Sequence, residues 1–386
     1  MERISITHPK DLLKLIKREK GFIYTTIGNI SSTLLGALFW LILASILSVS
    51  EYGIVNYWIA IAVIPASIAT LGLNTTVVTY LAKGDEEVVR EADTIILISS
   101  LIVGLILLPI QWAISIVTIA FIFYGMTIAE ILGRKLYSEY AIVTILSRAI
   151  QIITSIILYL KIGLIGVLIG YFLGQIMLSY RYLKNLRNPT LNINSLKEKV
   201  NFTLHSYGQN IIQSLSIYLD KIIIGGLFGF YALGLYQLAF QFLMLLAIIP
   251  ASLYTYLLPE ESSGTERTEI KIIGIMLSIA MAIATYILSP YIIKILFPNF
   301  IDAIEIIQVM CIAIIPLTIT SLANAKLFGE EKSKYVFIGG IIYIITMIIF
   351  TVMLGVLMGI MGLAIAIIIA QTIRAAYLWS KKGITI

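Results

Sequence analysis

Cysteine is nearly absent from this chain of 386 residues. Cys311 stands alone, which excludes an internal disulfide framework and a cysteine-based metal cage. Histidine is almost as scarce: only His8 and His205 are present, so a histidine metal site is not expected, nor is a cofactor. Charged residues make up 12% of the chain, against 59% hydrophobic, and the mean hydropathy is +0.99. No water-soluble domain of this size can bury so much apolar surface, so the chain reads as an all-α integral membrane protein. A cleavable signal is also missing. The opening "MERISITHPKDLLKLIKREK" is polar and basic, and the apolar run after it is too long for a signal-peptide core, so the segment is expected to be retained.

What is there is a series of apolar runs of helical length, broken by charged or turn residues. They fall near 22–47, 52–80, 94–111, 113–132, 138–160 and 163–183, then near 203–228, 231–258, 270–289, 303–325, 335–357 and 359–380. The stretch from Thr94 to Leu132 is too long for one crossing and is divided near Pro109 and Gln111. About twelve transmembrane helices are expected. Orientation follows from the 27 basic residues. With both termini in the cytoplasm, Lys161 and Lys294 fall outside, Arg148 and Lys221 fall within spans, and the rest are counted on the inner side. The net charge of +6 is therefore a positive-inside signal, and no nucleic-acid partner is expected. The outer connections, "SVSEY", "LFGFYA" and the turn near "MLGVLMG", are short. An enzyme acting outside the membrane would need more chain there to hold acidic groups.

The two halves repeat one pattern. A shift of 181 lays Thr25 on Ser206, Asn29 on Asn210, Thr33 on Ser214 and Gly53 on Gly234. A shift of 196 lays "GLIGVLIGYFLGQ" (163–175) on "GIMGLAIAIIIAQ" (359–371). Prolines recur in "VIPAS" (Pro65) and "IIPAS" (Pro250), where they favour bends. Six spans per half is an even number, so both halves share one orientation. The expectation is two parallel six-helix bundles, residues 1–183 and 203–386, joined by a cytoplasmic linker at 184–202.

Charges inside such spans cost about 2.5–3.5 kcal/mol each on insertion scales, so each needs an explanation. Asp220 and Lys221 are sequence neighbours, about 100° apart around a helix, and are not expected to meet face to face. Thr144, Arg148, Gln151 and Ser155 recur at helical spacing on one face, as do Thr25 and Asn29 in the first span and Asn210 and Ser214 in the seventh. These faces are expected to line a water-accessible cavity. Arg148 and Lys221 are the candidates for holding the phosphates of an anionic substrate, since arginine offers a forked donor to phosphate oxygens. Asp220 is read either as an ion-coupling carboxylate or as half of a structural pair. His205 reads as an interfacial polar residue, and Glu130 with Arg134 as an ordinary helix pair.

"YLDKIIIGGLFGFYALGLYQLAFQF" (218–242), with Asp220, Lys221, Gly234 and Tyr236, resembles a segment of polysaccharide and oligosaccharide flippases. "LSVSEYGIVNY" (47–57) and "LFPNFIDAIEIIQVM" (296–310) are similar to two of their connections. The chain thus resembles the polysaccharide-export branch of the multidrug/oligosaccharidyl-lipid/polysaccharide exporter superfamily. The resemblance implies alternating access and a cationic lumen. It implies flipping of a polyprenyl- or dolichyl-(pyro)phosphate-linked oligosaccharide from the cytoplasmic to the outer leaflet of the plasma membrane. It further implies coupling to Na+ or H+ and contact with membrane lipids and glycan-assembly machinery. The expected twelve spans are two fewer than the lipid II flippases have, so the resemblance is not expected to lie with that branch. Two alternatives stand beside this reading: a multidrug or cation efflux antiporter of the same superfamily, and a membrane-embedded glycan polymerase or glycosyltransferase. The first calls for acidic residues in the lumen of the first lobe, whose first two spans hold only Glu51 at their outer turn.

Overall fold

The computed structural model describes residues 20–186, 189–190, 192–265 and 267–381. The expected basic segment before Lys20, His8 and part of the 184–202 linker lie outside them. Among the described residues the regular structure is helical, with no strand. In chain order the helices are α1 (Lys20–Ile46), α2 (Val49–Ala69), α3 (Leu73–Leu81), α4 (Glu87–Leu107), α5 (Trp112–Gly133), α6 (Tyr137–Ile162) and α7 (Leu164–Ile176). Two short helices, α8 (Tyr180–Asn185) and α9 (Asn194–Lys197), follow. The rest of the chain forms α10 (Val200–Leu246), α11 (Ile248–Ser262), α12 (Thr268–Leu296), α13 (Ala303–Met310), α14 (Ile314–Gly329) and α15 (Ser333–Lys381).

Among the described residues, eight helical stretches are long and apolar enough to cross a membrane, α11 being counted with α10 and α13 with α14, and the chain is an integral membrane protein. The two longest helices are each two arms around a glycine. Gly229 in α10 has φ 85° and Gly359 in α15 has φ 60°, values that a residue with a Cβ adopts only under strain. These breaks coincide with the outer turns expected from "LFGFYA" and "MLGVLMG". Leu71 (φ 50°) and Gly72 (φ 75°) similarly separate α2 from α3. Pro65 lies inside α2, whereas Pro250 sits in the first turn of α11, where a missing N–H breaks no helical bond.

Two compact units emerge. One comprises residues 1–39 and 65–208, the other 40–64 and 209–386. The division differs from the expected 1–183 and 203–386 because segment 40–64 packs with the later helices. The repeat-related glycines explain that packing. A Cβ at Gly53 would overlap the Phe230 carbonyl and come within 3.0 Å of the Gly234 amide nitrogen, and a Cβ at Gly234 would overlap the Val49 carbonyl. Only hydrogen at both positions lets the two backbones approach so closely.

Each unit has its own core. In the first, Leu73, Val77, Val88, Ile96, Phe123 and Met126 pack around Tyr182. In the second, Tyr343, Ile344 and Met347 pack on Ala370. The outward faces are apolar as well: Ile273, Met276, Ile283, Ile287 and Ile295 of α12 are all exposed. An apolar face of this kind fits a lipid surround.

Candidate functional site

In the second unit, the Asp220 and Lys221 side chains do meet, contrary to the expectation from helical geometry. Lys221 Nζ lies 3.3 Å from Asp220 Oδ1 and also donates to the Ile217 carbonyl one turn earlier. The lysine stem is long enough to fold back along its own helix, which a count of degrees around the axis does not capture. Asp220 Oδ1 also accepts the Lys221 amide at 2.9 Å, and Oδ2 accepts the Tyr236 hydroxyl at 2.5 Å. The Phe240 ring covers the ammonium, with its centroid 4.2 Å away. Asp220 is 2% exposed, Lys221 3% and Tyr236 1%.

Lys221 is thus a neutralised cation in an enclosed seam. The structural-pair alternative describes it, and the expected role in holding phosphate is not open to it in this arrangement. Tyr236, which closes the cluster, was present in the quoted motif without an assigned role.

In the first unit, the face of α6 divides. Gln151 and Ser155 are fully buried against α7, where Gly170 and Gly174 leave room for them: a Cβ at Gly174 would lie 2.7 Å from the Gln151 Cβ. The Ser155 hydroxyl donates to the Val167 carbonyl at 3.2 Å and that of Thr144 to the Tyr140 carbonyl at 2.8 Å. Gln151 and Ser155 fill a helix–helix seam instead of lining a cavity, a correction whose cause is the glycine row of α7, while Thr144 is buried beside Gly28 of α1. Asn29 accepts the Tyr140 hydroxyl at 2.5 Å, and the Thr25 hydroxyl donates to the Gly21 carbonyl at 3.0 Å.

Arg148 behaves differently. It is half-buried, its Nη1 donates to Gln151 Oε1 at 2.9 Å, and among the described residues no carboxylate pairs with it. In α10, Asn210 is half-buried and Ser214 is buried with its hydroxyl unpartnered. His205 is exposed, its Nδ1 2.6 Å from the Asn201 carbonyl oxygen.

Glu130 and Arg134 do pair at 2.7 Å, but within a wider network. Arg134 forks onto both oxygens of Glu86 at 2.8 Å, Arg181 bridges Glu139 and Glu130, and Asn185 donates to Asp93 and Glu130. This lattice ties α5, α6 and α8 together at one end of the first unit.

One cation escaped the sequence reading. Arg374, in the second arm of α15, was counted with the inner-side charges although it lies within the expected 359–380 span. Its guanidinium stands 5.6 Å from the Tyr343 ring centroid and borders a cavity of about 600 Å³ in the second unit. A charge seven residues before a helix end reads as interfacial, and only burial and partners reveal otherwise.

Residues 19–260 match the family described as "Polysaccharide biosynthesis protein". The chain belongs to that family. This polysaccharide biosynthesis protein has the fold of the multidrug/oligosaccharidyl-lipid/polysaccharide transporters. It is similar to a lipid II flippase, MurJ, in an inward closed conformation, with TM-score 0.74 and 18% identity over 94% of this chain and 88% of that one. It is similar to an inward-facing multidrug resistance MATE family transporter, with TM-score 0.70 and 15% identity over 92% of this chain and 94% of that one. A transporter of the same superfamily from Pyrococcus furiosus, whose binding pocket is described as reversed in polarity, is similar at TM-score 0.59 and 16% identity, with 93% of each chain covered. These similar structures are transporters and flippases, not enzymes. No curated protein matches the chain.

Proposed function

We propose that this protein flips a polyprenyl- or dolichyl-(pyro)phosphate-linked oligosaccharide from the cytoplasmic to the outer leaflet of the plasma membrane by alternating access. The observation that carries the reading is Arg148, a cation within an apolar span that pairs with no carboxylate among the described residues. An unpaired charge at such a place persists where it faces water or an anion. A pyrophosphate-linked substrate is that anion, and the fork of arginine suits its oxygens. Family membership supports the glycan-assembly context, and the similar lipid II flippase supports a lipid-borne substrate.

The proposal includes twelve crossings in two six-helix bundles with both termini cytoplasmic, the two arms of α10 and of α15 each counting as separate crossings. It also includes contact with glycan-assembly machinery and coupling to Na+ or H+. Asp220 is the carboxylate at which a coupling ion would compete with Lys221. The efflux-antiporter alternative calls for acids near the site, and no carboxylate among the described residues pairs with Arg148. In cells, replacing the gene by an Arg148→Ala version at matched protein level is expected to deplete surface glycan and accumulate the lipid-linked precursor in the inner leaflet. Unchanged surface glycan with no precursor accumulation removes the reading.

A further inference from the structure

The cavity beside Arg374 lies wholly in the second unit, far along the chain from Arg148. Gln209, Gln213 and Ser216 line it from one face of α10 at i, i+4 and i+7, with Tyr254 of α11 and Ser333 of α15 around the rim. No carboxylate is among its lining residues, so its one charge is the guanidinium. That guanidinium has no ion-pair partner among the described residues, and its Nε is enclosed without a hydrogen-bond acceptor. A buried donor left without an acceptor is costly, and a fork of N–H groups beside amides and hydroxyls is completed by an anion rich in acceptor oxygens. The volume is within the usual range of ligand sites.

Depth points to the source of that anion. Arg374 is seven residues before the end of α15 at Lys381, and Gln209 nine after the start of α10 at Val200. At 1.5 Å per residue, the cavity is about 10–14 Å inside the helix ends, just beneath the level of lipid headgroups. A phosphate carried on a lipid is presented there, whereas a soluble anion must leave bulk water to reach it.

We propose that Arg374, with Gln209, Gln213 and Ser216, forms a second phosphoryl-anion site that receives the pyrophosphate of a lipid-borne substrate in the second unit. This inference rests on the flippase reading for the identity of the lipid, and takes over for this unit the role that Lys221 cannot fill.

The test uses the full chain in lipid nanodiscs, titrated with farnesyl pyrophosphate, farnesol and inorganic pyrophosphate. Arg374→Gln is expected to weaken farnesyl pyrophosphate binding about 10-fold or more, the size of one charge-assisted hydrogen bond, and to leave farnesol unchanged. Ser216→Asp, which adds a carboxylate facing the same cavity, is expected to weaken it similarly and guards against misfolding of the arginine variant. Arg374→Lys should recover part of the loss. Wild-type binding by Arg374→Gln or by Ser216→Asp overturns the site. Inorganic pyrophosphate binding as tightly as farnesyl pyrophosphate, and equally dependent on Arg374, overturns the lipid-borne source. Arg374-dependent binding in a protein that transfers no lipid-linked oligosaccharide between leaflets refutes the flippase reading while leaving the site standing. Transfer that continues with Arg374→Gln binding as wild type refutes the site alone.

Discussion

Replacing Asp220 with asparagine removes the negative charge from a cluster that has no other. Lys221 would keep the Ile217 carbonyl and the Phe240 and Tyr218 rings but no anion, inside a seam where it is 3% exposed. Breaking a buried ion pair from one side costs about 3–5 kcal/mol, because the surviving charge stays desolvated. Removing both charges together, as in Asp220→Asn/Lys221→Met, leaves no such orphan and is expected to cost within about 1–2 kcal/mol. The cycle of the two single variants and the double should therefore give a coupling of about 3 kcal/mol or more. Ordinary side-chain hydrogen bonds between membrane helices average about 0.6 kcal/mol in the same kind of cycle. Equilibrium unfolding in mixed micelles with SDS, followed by tryptophan fluorescence, measures all four corners. A coupling near the smaller value means that Lys221 is solvated or uncharged and that the neutralised seam is misread.

Tyr236→Phe deletes the hydroxyl donated to Asp220 and should cost about 1.5–3 kcal/mol by the same unfolding assay, with less effect once Asp220 is asparagine. Gly234→Ala places a methyl on the Val49 carbonyl and should destabilise by at least about 1–3 kcal/mol, whereas Gly226→Ala, which meets nothing within 4 Å, should be mild. Outside the membrane, Lys199 hydrogen-bonds Asp85 and, against the opposing effect of burial, holds its carboxyl below the usual range. A depressed carboxylate stabilises the fold above its unfolded pKa and loses that contribution as pH falls through the folded value. Thermal melts between pH 6 and pH 3 should thus show a smaller drop for Asp85→Asn than for the wild type.

Hydrophobic run length and two of the expected turns were legible because lipid imposes run length residue by residue. Gly229 and Gly359 break the longest helices where "LFGFYA" and "MLGVLMG" suggested turns. The repeat match of Gly53 with Gly234 also pointed at something physical, since the two glycines sit in one close backbone approach of the second unit. What sequence spacing could not show was side-chain reach. Angular separation put Asp220 and Lys221 apart, but a four-carbon stem closed the gap. Nor could helical periodicity tell a wet face from a packed one: Gln151 and Ser155 share a face with Arg148, and the neighbouring glycines of α7 decide which of them is covered. Arg374 was hidden by its nearness to a helix end, and the allegiance of segment 40–64 by the assumption that each half packs on itself.

The central claim is that this membrane protein carries a lipid-linked oligosaccharide between leaflets, and leaflet transfer in a defined bilayer tests it most directly. Purified protein would be reconstituted into vesicles with a fluorescent polyprenyl-pyrophosphate oligosaccharide, and label would be counted by its accessibility to an impermeant quencher on one side. The account predicts protein-dependent exchange, sharply reduced by Arg148→Ala, and none for a matched polyprenol without phosphate. Exchange no faster than in empty vesicles, with or without a Na+ or H+ gradient, contradicts it.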